Sequence, residues 1–142
     1  MNKQIGRNLS ILNRQTNHFL NEALRPLSIN RSQMSILLLL SGSDGLSQAE
    51  INEHLLFNKA SITKMLSGLE KSGYVTRSRG KQDKRINKVF LTEKGKDTLP
   101  HIRKAITQWE AVLAQDLTQT EQSELKLLLR KIIESILKRD GK

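Results

Sequence analysis

LSQAEINEHLLFNKASITKMLSGLEKSGYVTRSRGKQDKRINKVFLTEKG, residues 46–95, decides the fold. Ser47 with Glu50 three residues later has the capping-box spacing, in which each side chain satisfies the other's backbone N–H. That spacing opens a short helix expected to bury Ala49, Ile51, Leu55 and Leu56. After Phe57 and Asn58 the pattern restarts with a stripe of Ile62, Met65, Leu66 and Leu69, and Ser72-Gly73 predicts a left-handed glycine end. Residues 74–78 and 88–91 are β-prone runs on either side of the polar stretch 79–87, which predicts a hairpin with a basic tip.

A helix, a tight turn, a second helix and a hairpin make a winged helix-turn-helix, whose second helix is the one that enters a DNA major groove. With Ile62 set at 0° on a 3.6-residue wheel, Leu66 falls at about 40°, Leu69 at about −20° and Met65 at about −60°, all on one buried face. Ala60, Thr63, Lys64, Ser67 and Lys71 lie on the opposite face, with Ser61 and Gly68 at its margin. Lys64 can meet guanine or phosphate, the hydroxyls of Ser61, Thr63 and Ser67 can bond base edges or phosphates, and the Ala60 methyl can meet a thymine methyl. Lys59 opens the same helix.

Further out, apolar residues recur every three or four positions from Ile5 through Leu9, Leu12, Phe19, Leu20 and Leu24 to Leu27, an amphipathic helix that Pro26 should end or bend. Asn30 and Gln33 predict a capped start for a second helix, whose Met34 and residues 36–40 are too apolar for a surface. On the other side Thr92 should cap a long helix carrying Leu99, Ile102, Ile106, Trp109, Val112 and Leu113, bent at Pro100. Thr118 and Glu121 open a last helix with Leu125, Leu128, Leu129, Ile132, Ile133, Ile136 and Leu137. The expected fold class is mainly α with a small β-hairpin wing: a winged helix-turn-helix lobe over residues 31–91, flanked by helices over 1–29 and 92–142, in a single domain of 142 residues.

Composition narrows the function. The chain has 24 Lys+Arg against 14 Asp+Glu, a net +10, and residues 56–90 contribute +7 of it, nine basic residues against Glu70 and Asp83. Charge concentrated in a quarter of the chain is the footprint of a polyanion-binding element, with nucleic acid the leading partner. The absence of cysteine excludes a disulfide framework, thiolate zinc sites and thiol chemistry. His18, His54 and His101 lack metal-ligand spacing, so no metal and no cofactor are expected. No glycine-rich phosphate loop or Ser/His/Asp context is present, which argues against an enzyme. The longest apolar run is far short of a bilayer span and the basic N-terminus has no cleavage signal, so a cytoplasmic protein with no membrane partner is expected.

RSRGKQDKRINKVFLTEKG, residues 77–95, resembles the wing and wing-to-helix signature of the MarR (multiple antibiotic resistance regulator) family, matching its D-x-R and L-T-x-x-G spacings. The resemblance extends over nearly the whole chain, through the S-x-x-E helix start, KASITKML and LEKSGYVTR. It implies a homodimeric regulator on double-stranded DNA, in most relatives a repressor, held together by interlocking terminal helices. A two-fold dimer implies a pseudo-palindromic operator. Arg85 would enter the minor groove with Asp83 holding it, Arg77 would brace the wing or touch the backbone, and Lys81 and Lys84 would neighbour phosphates. Gly68 departs from the pattern, since relatives carry longer side chains there. Some relatives bind phenolic or aromatic carboxylates between the dimerisation helices and the DNA-binding lobe; Arg14, with His18, Ile106 and Trp109, would form that effector site here. The alternative is a non-specific or architectural nucleic-acid-binding winged helix, marked by sequence-independent binding.

Overall fold

The structure, a computed structural model, describes residues 4–79 and 87–141. In chain order it contains α1 (Gln4–Leu24), a 3-10 turn (Arg25–Leu27), α2 (Arg31–Gly42), β1 (Leu46–Ser47), α3 (Gln48–Leu55), α4 (Lys59–Lys71), β2 (Val75–Arg79), β3 (Asn87–Leu91), α5 (Glu93–Ala114) and α6 (Gln119–Arg139). Contacts divide the chain into two compact units, Met1–Thr107 and Gln108–Lys142.

The first unit holds the core. Leu24, Ile36, Leu37, Leu40, Ile51, Ile62, Leu66, Leu69, Val75, Val89 and Ile102 are all fully buried, so α2 is central, as its apolar run requires. Asn30 and Gln33 form the expected reciprocal cap on α2, and Ser47 and Glu50 the one on α3. Pro26 ends α1 by converting its continuation into the 3-10 turn. Pro100 does not break α5, which runs through it. Burial of Leu99, Ile102 and Ala105 along the same helix offsets the about 3 kcal/mol that an interior proline costs.

Two expectations fail in α3. Leu56 is exposed, because it takes a left-handed conformation (φ 58°) to close the helix, its N–H bonding the Asn52 carbonyl. That turn carries its side chain out of the apolar stripe. Ala49 is also exposed, on the solvent side of the first turn.

The sheet has three antiparallel strands in the order β1-β3-β2, with Arg77 opposite Val89 and Leu46 on the other side of Val89. The sequence pattern predicts β2 and β3; β1 has only two residues and is tied in by its surroundings. Gly45 N–H donates to the Val89 carbonyl, and the Asp44 carboxylate accepts from Leu91 N–H at 2.9 Å. Gly45 has φ 83° and lies against the Phe90 ring.

The L-T-x-x-G spacing has a structural cause. Leu91 is buried, and the Thr92 hydroxyl accepts from Gly95 N–H (3.0 Å) and donates to the Gly73 carbonyl (2.6 Å). Thr92 N–H donates to the Tyr74 carbonyl. A Cβ on Gly95 would sit 2.3 Å from that same carbonyl oxygen, so only glycine lets the first turn of α5 come this close to the strand. Tyr74 is buried beneath, its hydroxyl donating to the Leu27 carbonyl and its ring covered by the Lys94 ammonium.

In the second unit Thr118 and Glu121 cap α6 reciprocally, as expected. None of the residues of α6 is buried. Leu125, Leu128, Ile132, Ile133 and Ile136 are all more than a third exposed, an apolar stripe with helical spacing facing solvent.

Candidate nucleic-acid interface

Asn58 starts α4, its side chain accepting from Ser61 N–H at 2.8 Å. Ile62, Leu66 and Leu69 are then fully buried and fix the helix rotation, leaving Lys59, Ala60, Thr63, Lys64, Ser67 and Lys71 exposed and Ser61 half-buried. Among the described residues, Lys59, Lys64 and Lys71 form no ion pair, so three cations stand on this helix without a carboxylate to neutralise them.

The hydroxyls differ from one another. Thr63 Oγ1 donates to the Lys59 carbonyl (2.9 Å) and accepts from Gln48 Nε2 at the start of α3 (2.7 Å). Ser67 Oγ accepts a long bond from Arg77 (3.4 Å) and keeps its own proton free. Arg77 also reaches the Glu70 carboxylate at 3.0 Å, tying β2 to the recognition helix. The hydrogen bond and charge of Arg77 lower the Glu70 pKa, the hydrogen bond contributing most. Arg77 thus links β2 to α4 through the side chains of both Ser67 and Glu70. The other wing residues, Lys81, Asp83, Lys84 and Arg85, lie outside the described residues.

Gly68 has a neighbour that explains its size. A Cβ there would meet the Gln33 side-chain nitrogen at 2.8 Å, a group that also bonds the Met65 carbonyl. A glutamine from α2 lies over the helix where a side chain at this position would go.

Sequence reasoning missed Gln48, Asn58 and Glu70. Asn58 carried a findable signal, a cap residue directly before an apolar stripe. The other two act across 15 and 7 residues, beyond any local periodicity.

Arg14 and His18 sit one turn apart and exposed on α1, and Ile106 is half-buried on α5, all in the first unit. Trp109, half-buried, belongs to the second unit. A cleft of about 690 Å³ in the first unit is lined instead by Pro26, Tyr74, Lys94, Asp97, Thr98 and His101, among others, and by none of those four. No helix is long and apolar enough to cross a membrane, and no cluster of three or more metal-ligating side chains occurs among the described residues.

The MarR family model matches residues 29–86, the stretch from the start of α2 into the wing. A helix-turn-helix-type transcriptional regulator of Bacillus cereus is 30% identical over 119 residues, 83% of this chain and 79% of that protein. The helix-turn-helix-type transcriptional regulator PrsX of Escherichia coli is 29% identical over 85% of this chain and 74% of its own length. Among solved structures, a MarR transcriptional regulator from Methanosarcina mazei Go1 superposes with a TM-score of 0.88 at 29% identity, covering 97% of this chain and 93% of that one. A mutant MarR from Escherichia coli complexed with operator DNA gives 0.83 at 28% identity, over 92% and 94%. A helix-turn-helix with a wing locked on by Leu91, Thr92 and Gly95, and relatives alike along most of the chain, have one common explanation: the chain belongs to the MarR family of transcriptional regulators.

Proposed function

We propose that this regulator binds double-stranded DNA sequence-specifically, as a homodimer on a pseudo-palindromic operator, and represses transcription by occupying a promoter. The observation that carries the reading is the division of α4. Its buried face is fully apolar, while its exposed face offers three unpaired lysines, small residues and hydroxyls, the chemistry that fits a major groove and its phosphates. Lys59, Lys64 and Lys71 hold phosphates, Ala60, Ser61 and Ser67 stand nearest base edges, and Arg77 keeps the wing at a fixed register to the helix. Lys81, Lys84 and Arg85, with Asp83 beside them in the sequence, supply the further backbone and minor-groove contacts of this reading.

The division of labour is a DNA-binding lobe over residues 31–91 and dimerisation helices over 1–29 and 92–142. Uncovered apolar residues support the dimer: Ile5, Leu9 and Leu12 on α1, and the stripe on α6, are surfaces that water alone does not stabilise. An aromatic anion is the effector class we assign, with Arg14 as its cation beside His18 on α1. Such a ligand releases DNA only if it binds the DNA-incompetent arrangement more tightly than the competent one.

The test is a mobility shift of the full chain, with dimer state fixed by sedimentation, on its own promoter region against scrambled competitor at near-physiological salt. Competitor-resistant, saturable binding by a dimer is the expected result. Binding lost equally to any competitor, on this promoter and on duplexes selected from a random pool, refutes sequence-specific recognition.

A further inference from the structure

We propose that Gln48, at the entrance to α3, is a specificity-determining residue that reads an adenine, with Thr63 as the residue that aims it. The inference rests on the DNA-binding reading above and deepens it. Gln48 is the first residue of α3 after the Ser47 cap, and its amide crosses to the exposed face of α4, where Nε2 donates to Thr63 Oγ1 at 2.7 Å. A threonine hydroxyl has one proton, and that of Thr63 goes to the Lys59 carbonyl at 2.9 Å. Thr63 can therefore only accept from Gln48. This fixes which end of the amide faces it: nitrogen toward Thr63, oxygen away.

Two consequences follow for recognition. Thr63, which by its place on the helix looks like a reader, has spent its proton inside the protein and has little beyond its methyl group to offer a base. Gln48, by contrast, has used one N–H and keeps the other together with Oε1. With the proton anti to Oε1 given to Thr63, as the proposal requires, the syn N–H and Oε1 lie side by side on one edge of the amide, an adjacent donor and acceptor. That pairing complements adenine, which presents N7 as acceptor and N6–H as donor in the major groove. A glutamine that already holds its bound rotamer also loses less freedom on binding than a mobile one.

The experiment is parallel selection of duplexes from a random pool by the full-length wild type, Gln48→Ala and Thr63→Val, each first checked for native helicity. The wild type is expected to enrich a two-fold motif with a fixed adenine in each half-site, and Gln48→Ala the same motif with that position unspecified. On the wild-type duplex Gln48→Ala should bind roughly 5- to 150-fold more weakly for each half-site, with unchanged affinity for a scrambled duplex. Thr63→Val keeps the shape but donates nothing to the Lys59 carbonyl and accepts nothing from Gln48, so it should blur the same position. The double variant should be no worse than Gln48→Ala alone. An unchanged motif for Gln48→Ala, or equal losses on selected and scrambled duplexes as for a phosphate contact, overturns the proposal. A Thr63→Val motif identical to wild type overturns the aiming role. Failure of the DNA-binding reading itself is separately visible, since the wild type would then enrich no motif.

Discussion

Replacing Gly95 by alanine should cost the protein about 1–3 kcal/mol of stability, the opposite of what helix propensity alone predicts. Gly95 is in the first turn of α5, where an alanine would on propensity stabilise by up to about 1 kcal/mol. The added Cβ, however, would lie 2.3 Å from the Tyr74 carbonyl oxygen and 3.2 Å from Leu91 Cδ2. Neither neighbour can step aside cheaply. The carbonyl is backbone and accepts from Thr92 N–H, and Leu91 is buried. Overpacking of this kind costs about 1–3 kcal/mol. Stretching the Thr92 bond adds about 0.5–1.5 kcal/mol. Gly68→Ala is the matched control, because it brings the same propensity gain but meets only the mobile end of Gln33 at 2.8 Å. It should fall within about 1 kcal/mol of wild type, since Gln33 gives up little more than its long bond to Met65.

The assay is urea unfolding at one protein concentration, because association makes apparent stability concentration-dependent. Gly95→Ala should lower the midpoint at unchanged slope, and Gly68→Ala should barely move it. If Gly95→Ala were as stable as wild type, the close approach of α5 to the strand would not be what Gly95 is for, and this explanation of the L-T-x-x-G spacing would fail.

Three further outcomes are expected. Because the Glu70 pKa is lowered in the folded state, the stability it contributes is present above its unfolded value and is lost as pH falls through the folded one. In thermal melts the gap between wild type and Glu70→Gln should therefore close below about pH 4.5; a gap that persists in acid would mean that the carboxylate's charge is not what Arg77 stabilises. Asn58→Ala removes the α4 cap and should cost about 1 kcal/mol in urea unfolding, whereas a change below about 0.3 kcal/mol would mean that the Ser61 N–H is satisfied without it. Lys64→Ala should weaken binding to all duplexes alike and reduce the salt dependence by about one unit of slope per subunit if the lysine holds phosphate; a loss confined to the selected duplex would make it a base contact.

What was legible in the sequence was what neighbouring residues settle among themselves. The three reciprocal caps, at Asn30, Ser47 and Thr118, are each closed within four residues, and each was readable as a spacing. The α4 stripe was readable because burial of Ile62, Leu66 and Leu69 follows one helical period. Leu56 escaped for the converse reason: its apolar side chain fits the stripe, but the chain needed a left-handed residue there to end α3, and geometry outweighed hydropathy. The β1 strand escaped because two residues have no measurable alternation, and its existence depends on Val89 and Leu91, more than 40 residues away.

The candidate site divides along the same line, and the division has a functional meaning. Which residues face outward on α4 is a property of one helix, so Thr63, Lys64 and Ser67 could be placed there from the sequence. Which of their atoms remain free is a property of two elements packed together. The Thr63 hydroxyl is consumed by Lys59 and Gln48, while Arg77, counted as a wing residue, is held back on Glu70. A list of exposed polar residues therefore overstates some readers and omits others. A groove-facing hydroxyl whose proton is already committed serves to orient its neighbour. Under the proposal above, Gln48 on the preceding helix adds discriminating atoms to those of α4, so substitutions in α4 alone will not account for the sequence bound.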